Sequence, residues 1–148
     1  MNAEEMWAAW GKGGGAPYEA WAFGDDPDGL AHLVAAGVKT ATSSAFPLYE
    51  IEGEDPPCAG EYSVILNGRD EAVCVIRTAR VRVVPFSEVG EDFASLEGEG
   101  DRTLRYWRDV HRRFFTKCMR EAGLSFTEDM PVVCEEFDVV YKPEEDAQ

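Results

Sequence analysis

The sequence predicts an α+β domain with a small, highly twisted or barrel-like sheet. Asn67-Gly68 separates two apolar runs, which is the strongest short signal for a β-hairpin. Residues 102–122 repeat apolar side chains at three- and four-residue steps, which predicts one long amphipathic helix. Short helices and strands are interspersed rather than regularly alternating, so a doubly wound parallel sheet is not expected.

Composition limits the classes of function. A chain of 148 residues with 45% hydrophobic and 29% charged residues is long enough for one well-packed domain. Its formal net charge of −15 excludes a protein that holds polyanions by bulk charge, because such affinity comes from neutralising phosphates. Contact with a nucleic acid therefore requires a local basic surface.

The first helices are predicted from residues that typically begin or end a helix. Residues 2–10 read as a short helix with acidic residues in its first turn, and a glycine-rich connector follows, so residues 1–19 are treated as an N-terminal addition. A second helix is predicted with Asp26 as its cap, Pro27 in its first turn and Gly37 at its end. The main domain is predicted over residues 20–142, with a frayed acidic tail over 143–148.

The remaining elements follow in order. Residues 46–60 contain three prolines and two glycines and are predicted to form a long irregular loop. Strands are predicted over 62–66 and from 72 to the proline at 85, and a last strand over 132–141. Asp101 is predicted to cap the long helix, and Gly123 to close it.

The long helix carries a concentration of positive charge. Seven of the fourteen basic residues in the chain lie between residues 102 and 120. They are Arg102, Arg105, Arg108, Arg112, Arg113, Lys117 and Arg120. This pattern suits a ridge that tracks phosphates, and it equally suits a solvated face paired with nearby carboxylates. Both interpretations stay open.

Residues 39–43 place a lysine among hydroxyl groups. Lys39 and the hydroxyls of Thr40, Thr42 and Ser43 can supply a cation and nucleophiles at one place. In an extended strand Lys39 and Thr42 point to opposite faces, so joint action requires a bend near residue 40 or 41. The alternative is an ordinary surface strand.

An acidic, glycine-rich segment precedes the long helix. Glu97 and Glu99 alternate with glycines, and such carboxylates can orient a lysine, act as a base or bind a divalent cation. The chain has only two histidines and no paired cysteine motif, so we predict neither a metal nor a cofactor, and four free thiols. His111 falls on the apolar arc of the helix and is predicted to be a packed core residue.

Several segments together resemble the ASCH domain family. The resemblance runs from about Ala20 to Tyr141 and rests on GVKTATSS, the ILNG hairpin, VVPFSEV, EGEGDRTLRYWRDVHRRFF and EDMPVVCEEFDVVY. It implies a PUA-like fold: a small β-barrel of about five to six strands flanked by helices. The GxKxxT element of the family would line a cleft, and here it consists of Gly37, Lys39 and Thr42.

The resemblance also implies functions. PUA-like domains bind RNA, one branch of the family removes the acetyl group from N4-acetylcytidine, and another is associated with ribonuclease activity. Lys39, Thr42 and Glu97 are the implied catalytic residues, with Glu99 as the second choice for the acid. Burial could leave the Lys39 amine neutral, as a base for Thr42; in a ribonuclease a charged Lys39 could instead stabilise the transition state.

The predicted ligand is RNA or a nucleoside or nucleotide. The candidate substrate-binding residues are Thr40, Ser43, Tyr49, Glu99, Arg105, Arg108 and Arg112. Tyr49 lies in a loop that could close over the pocket. The alternatives to a hydrolase are a non-catalytic RNA- or nucleotide-binding module and an adaptor that uses the basic helix 102–120.

The sequence also bears on location. No apolar stretch reaches the roughly 20 residues that a membrane span needs, and the acidic N-terminus lacks the pattern of a secretory signal. We therefore expect a cytoplasmic protein that does not associate with membranes. The sequence does not predict an oligomeric state.

Overall fold

A computed structural model describes residues 1–143. The strands are β1 (Tyr18–Ala22), β2 (Ala41–Ala45), β3 (Tyr62–Leu66), β4 (Ala72–Pro85) and β5 (Pro131–Tyr141). The helices are α1 (Ala3–Trp10), α2 (Pro27–Ala35), α3 (Phe46–Glu52), α4 (Glu91–Glu97) and α5 (Leu104–Glu121). A 3-10 turn, Phe86–Glu88, follows β4. Across the described residues the strands form one sheet in the order β1-β3-β4-β5-β2.

The sheet is mixed and curled into a half-barrel. β1 pairs with β3 in parallel, and the other three pairings are antiparallel. β4 pairs with both β3 and β5, and its register with β5 shifts between Thr78 and Arg80. Such a bulge bends the strand and increases its twist, which helps to curl the sheet. The predicted α+β class and the predicted small, strongly twisted sheet are confirmed.

Several predicted elements have the expected end groups. Asp26 caps α2 by accepting a hydrogen bond from the Gly29 backbone, and Gly37 and Gly123, both with positive φ, follow the C-terminal ends of α2 and α5. The hairpin forms at Asn67-Gly68, but its connection covers five residues, 67–71, closed by the Asn67 amide donating to the Glu71 carbonyl at 2.9 Å. Local chemistry was sufficient to predict these features.

Other expectations were wrong. The predicted loop 46–60 begins with α3, a helix with no buried residue and therefore no core-facing periodicity to read. β1 was not predicted, because its pairing partner β3 lies some forty residues further along the chain. Asp101 does not cap α5: Thr103 does, accepting from the Tyr106 backbone, and Asp101 accepts hydrogen bonds from Thr103. The left-handed backbone at Arg102 (φ +65°) separates Asp101 from the helix.

The core lies on both faces of the sheet. α5 packs through Trp107, Phe115 and Met119 against Phe86 and the β2–β5 end of the sheet. α1 packs through Met6 on Val64 and Val75 of the opposite end. The division of the chain at residue 20 stays a prediction, and residues 144–148 of the predicted tail lie outside the described residues. None of the helices in the described residues is long and apolar enough to cross a membrane.

Candidate active site

A cavity of about 1520 Å³ opens between the curled sheet, α3 and α5. Its walls include the predicted Lys39, Thr42, Ser43, Tyr49, Glu97 and Glu99. Thr40 and the three predicted arginines do not line it. The cavity therefore brings together most of the polar candidates from 39–49 and 97–99, which are far apart in the sequence.

Lys39 is held at the inner wall by its backbone neighbours. The Thr40 amide and hydroxyl both donate to the Leu96 carbonyl, at 2.8 and 3.3 Å, and the Phe137 amide donates to the Thr40 carbonyl. These bonds tie the chain before β2 to both α4 and β5. The Lys39 side chain is only 1% exposed. Thr40 thus links these elements and does not line the cavity, and its substrate-binding role stays a prediction.

Two carboxylates and a carbonyl surround the Lys39 ammonium. Its Nζ lies 2.9 Å from Glu97 Oε1, 3.0 Å from Glu99 Oε2 and 3.5 Å from the Glu97 carbonyl oxygen. Burial by itself would lower the pKa of Lys39, but the charges and hydrogen bonds of Glu97 and Glu99 outweigh it and raise the pKa above 10.5. The neutral amine suggested by burial alone is therefore not the resting state.

Glu97 is the centre of this arrangement. Its carboxylate is 1% exposed, and Oε2 accepts hydrogen bonds from Ser43 Oγ at 2.7 Å and from Trp107 Nε1. Burial would raise the pKa of Glu97, yet Lys39 and His111 together with these donors lower it well below 4.5. Glu97 is consequently an ionised, fully enclosed carboxylate.

His111 joins the same group. It is buried and stacks on Trp107 with ring centroids 4.3 Å apart, as expected for a core residue. Its Nε2 also lies 3.4 Å from Glu97 Oε2, and its Nδ1 lies 2.9 Å from the Trp107 carbonyl. Burial opposes protonation, but Glu97 outweighs it and raises the pKa of His111 above 6.5. The prediction of a mere packing residue was incomplete.

We call Lys39, Glu97, Glu99 and His111 the ion cluster. With both bases protonated and both acids ionised, its formal charges cancel. Glu97, Glu99 and His111 place ligand atoms within 4.8 Å of one another, as a metal site would require. The Lys39 ammonium already lies between the two carboxylates, so a metal would have to displace a buried cation. The expectation of no metal stays a prediction.

Gly98 allows the acidic segment 97–99 to lie against the backbone next to Lys39. Its φ is +68°, and an added Cβ would lie 2.4 Å from the Val38 carbonyl oxygen and 3.1 Å from Lys39 Cα. The backbone of residues 97–99 therefore approaches that of 38–39 more closely than any side chain permits. This close approach places a carboxylate on each side of the lysine.

Thr42 and Ser43 face different sides of β2. Ser43 contacts Glu97, whereas Thr42 is paired with Glu135 of β5 and shares its face of the sheet. Within residues 1–143 no hydrogen bond joins Thr42 to Lys39 or Glu97. Ser43, rather than Thr42, is the hydroxyl in contact with the ion cluster. The catalytic assignment of Lys39, Thr42 and Glu97 stays a prediction.

Glu135 is a cavity residue that the sequence analysis missed. It is 7% exposed, and its Oε2 accepts a hydrogen bond from Thr78 Oγ1 at 2.6 Å. Burial, with the nearby charges of Glu61 and Glu19, raises the pKa of Glu135 above 4.5, and the Thr78 bond opposes this. The available signal was strand alternation, which puts Glu135 on the same face as the apolar Phe137.

The remaining candidates occupy two places. Tyr49 of α3 lines the cavity, with its hydroxyl 2.9 Å from Ser44 Oγ. On the outer side of α5, Arg108 donates to the Ser87 carbonyl at 3.1 Å and Arg112 donates to Glu128 at 2.9 Å, while Arg105 is exposed. A substrate-binding role for these arginines stays a prediction.

Carboxylates dominate the cavity walls. Among the described residues that line it, the only lysine or arginine is Lys39. The acidic ones are Glu19, Asp25, Asp26, Glu52, Glu54, Asp55, Glu61, Glu97, Glu99 and Glu135. Such a wall repels anions and suits a neutral or positively charged ligand.

The architecture defines the class of protein. A curled five-stranded sheet flanked by helices is the PUA-like fold, which confirms the expected class. The ASCH domain model matches residues 19–141, and the chain belongs to the ASCH domain family. The expected resemblance, from about residue 20 to 141, is confirmed.

Two solved structures are similar over most of the chain. An ASCH domain from Lactobacillus crispatus is 37% identical, with a TM-score of 0.80, over 84% of this chain and 80% of that one. A protein from Enterococcus faecalis is 35% identical, with a TM-score of 0.82, over 94% of this chain and 88% of that one. No curated protein matches the chain significantly.

Proposed function

We propose that this protein is a small hydrolase that takes a modified nucleoside into its cavity and cleaves an acyl amide bond on the base. The ASCH family is associated with RNA binding. The observation that carries the proposal is the ion cluster at the cavity wall, where a buried cation lies beside two carboxylates and near the hydroxyls of β2.

The charge of the cavity supports a nucleoside rather than a polyanion. A nucleoside is neutral, and the carboxylate-rich walls can accept hydrogen bonds from its amino and hydroxyl groups. Phosphate groups would meet those same carboxylates without enough cations to compensate. A volume of about 1520 Å³ accommodates a nucleoside with room for a flanking group.

The reaction uses a hydroxyl and a cation in separate roles. The Thr42 oxygen forms a bond to the amide carbonyl carbon while its proton passes to a base, and the carbonyl electron pair moves onto oxygen. The Lys39 ammonium, whose own hydrogen bonds go to Glu97 and Glu99, acts on that developing negative charge through the electric field at the cavity wall. The carbon–nitrogen bond then breaks, the nitrogen takes up the proton, and water hydrolyses the acyl ester left on Thr42.

The two glutamates beside Lys39 differ in exposure. Glu97 is enclosed and acts as a positioning residue that holds Lys39 and His111. Glu99 is 16% exposed at the cavity wall, so its carboxylate is available to a ligand as well as to Lys39. Loss of the Glu99 carboxylate should therefore change ligand binding directly. The enclosed Glu97 carboxylate can affect a ligand only through the side chains that it holds.

The test is hydrolysis of N4-acetylcytidine to cytidine and acetate, followed by chromatography. We expect turnover by the wild-type protein and a loss of about 100-fold or more in kcat for Thr42→Val. Thr116→Val, on α5 and outside the cavity lining, is the matched control and should keep wild-type kcat. Absence of turnover over a panel of acylated nucleosides, or full activity of Thr42→Val, would contradict the proposal.

A second candidate function rests on a separate observation. The outer side of α5, which we call the basic face, presents Arg105, Arg108, Arg112, Arg113, Lys117 and Arg120 on an otherwise acidic protein. Single-stranded RNA bound there should dissociate as salt is raised, because its affinity depends on counterion release. Fluorescence anisotropy with a short labelled RNA tests this: Arg105→Glu should lower the salt slope by about 1, and salt-independent binding would contradict it.

A further inference from the structure

We propose that Glu135 is the general base that takes the proton from the Thr42 hydroxyl. This inference rests on the proposed hydrolase function, and it supplies the base that the reaction lacks. The base expected from the sequence, a neutral Lys39 amine, is not available, because Glu97 and Glu99 hold that side chain as an ammonium.

The sheet register brings the two side chains together. Thr42 of β2 and Glu135 of β5 are direct partners in an antiparallel pair. Side chains of such partners project from the same face, with Cβ atoms about 4.5–5.5 Å apart. Both residues line the cavity. A hydroxyl and a carboxylate at this separation reach each other by side-chain rotation or through one water molecule.

The surroundings of Glu135 suit a base. Its carboxylate is buried, and the described chain gives it a single hydrogen bond, from Thr78 Oγ1 to Oε2. The Thr78 hydroxyl holds one carboxylate oxygen, and among the described residues the other oxygen has no hydrogen-bond partner. Burial also raises the pKa of Glu135, which brings it nearer to neutral pH and makes the carboxylate a stronger proton acceptor.

The proton balance of the reaction is complete. Glu135 accepts the Thr42 proton as the oxygen attacks the carbonyl carbon, and it returns that proton to the leaving nitrogen as the carbon–nitrogen bond breaks. It then takes a proton from the water that hydrolyses the Thr42 ester, and passes it to the regenerated Thr42 hydroxyl. The carboxylate is unchanged at the end of the cycle.

The neighbouring residue provides a matched control. Glu136 is adjacent in β5, so its side chain lies on the opposite face, where it pairs with Arg80 at 3.9 Å. Glu135→Gln and Glu136→Gln therefore remove the same charge from the same strand, one facing Thr42 and the other facing away.

The first measurement needs no substrate. In Thr42→Cys, the pKa of the introduced thiol is obtained from the pH dependence of iodoacetamide alkylation, with the site identified by peptide mass spectrometry. Adding Glu135→Gln should lower that thiol pKa by about half a unit or more, because a nearby negative charge is lost. Adding Glu136→Gln should leave it unchanged. An equal response to both, or to neither, overturns the proposal.

The second measurement is the kcat for N4-acetylcytidine. Glu135→Gln should lower kcat by about 100-fold or more while KM changes little, and Glu136→Gln should keep wild-type kcat. Thr78→Val should move the acidic limb of the pH–kcat profile to higher pH, since the bond that lowers the pKa of Glu135 is removed. Full activity of Glu135→Gln overturns the proposal.

The two measurements separate this inference from the hydrolase function. If the wild-type protein cleaves no acylated nucleoside while the thiol at position 42 responds to Glu135→Gln alone, the hydrolase function fails and the assignment of Glu135 as the proton acceptor of Thr42 is supported. If the protein is active but the thiol does not respond, the hydrolase function stands and Glu135 is not the base.

Discussion

The ion cluster and the basic face of α5 use charge in opposite ways. The ion cluster places four ionisable groups in the interior, and Lys39 and Glu97 are each 1% exposed and in direct contact. The basic face carries its charges outwards, where Arg112 is 42% exposed and pairs with an exposed Glu128. The basic residues of α5 thus lie at a solvated surface, whereas charges from three separate segments, at 39, 97–99 and 111, meet in the enclosed site.

Removal of Lys39 should have the largest effect on stability. Lys39→Met leaves two carboxylates without their buried partner, and breaking a buried pair costs roughly 3–5 kcal/mol in the free energy of unfolding. Arg105→Met, the matched change on the basic face, should stay within about 0.5 kcal/mol. Urea denaturation at neutral pH measures both. Equal small losses in the free energy of unfolding of the two variants would show that the ion cluster stabilises the fold no more than a surface charge does.

Replacement of Gly98 tests the close approach beside Lys39. Gly98→Ala should destabilise the protein by roughly 2–4 kcal/mol, because the new Cβ strains the positive φ and meets the Val38 backbone. Gly123→Ala, at the end of α5, has a similar φ of +77° and open space around it. It should cost about 1 kcal/mol from backbone strain alone. If the two variants lose the same free energy of unfolding in thermal or urea denaturation, the close contact between position 98 and the Val38 backbone is contradicted.

The ion cluster should also give the protein a defined pH dependence. The pKa of Glu97 is lowered from 4.5, so its contribution is present above pH 4.5 and is lost as the pH falls towards the folded value. The pKa of His111 is raised from 6.5, so its contribution is complete below pH 6.5 and is lost as the pH rises through the folded value.

Urea denaturation across the pH range measures this dependence. The free energy of unfolding should decline on both sides of the window from pH 4.5 to 6.5. In His111→Gln the decline on the alkaline side should weaken relative to the wild type. A wild-type profile in His111→Gln would place the alkaline transition elsewhere.

Charge reversal on the basic face should have the smallest effect on the free energy of unfolding. Arg112→Glu loses an exposed pair with Glu128, and such pairs contribute about 1 kcal/mol at most. The same variant should still lower RNA affinity if the basic face contacts phosphate. If Arg112→Glu destabilised the protein as much as Lys39→Met does, the basic face and the ion cluster would not differ in their contribution to stability.

Local signals were enough to predict much of the fold. Asp26, Pro27 and Gly37 mark α2, and Asn67-Gly68 marks the hairpin, because caps and turns are decided by a few neighbouring residues. The start of α5 was misplaced because Asp101 and Thr103 are both good caps, and only the positive φ at Arg102 selects Thr103. β1 depends on pairing with a distant strand, so no local signal marks it. α3 does carry end signals, Pro47 in its first turn and Gly53 at its C-cap, but these residues were interpreted as part of a loop because the segment buries no residue.

The site was predictable only in part. Glu97 and Glu99 were candidate partners for Lys39 because glycines flank them, and the structure places both within 3.0 Å of its Nζ. The ionisation state of Lys39 was not predictable, because burial and carboxylate contacts act in opposite directions and their balance depends on distances. Glu135 was overlooked and His111 was predicted only as a packed core residue, because each lies in an apolar pattern, where periodicity alone predicts packing.

The ionisation state of Lys39 is the central physical claim, and ¹⁵N NMR of the lysine side chains tests it directly. Lys39→Met identifies the signal, and exposed Lys117 serves as the internal reference. We expect the Lys39 Nζ to keep the chemical shift of an ammonium up to pH 10.5 and to titrate only above that value. An Nζ signal of a neutral amine near pH 7 would contradict the account.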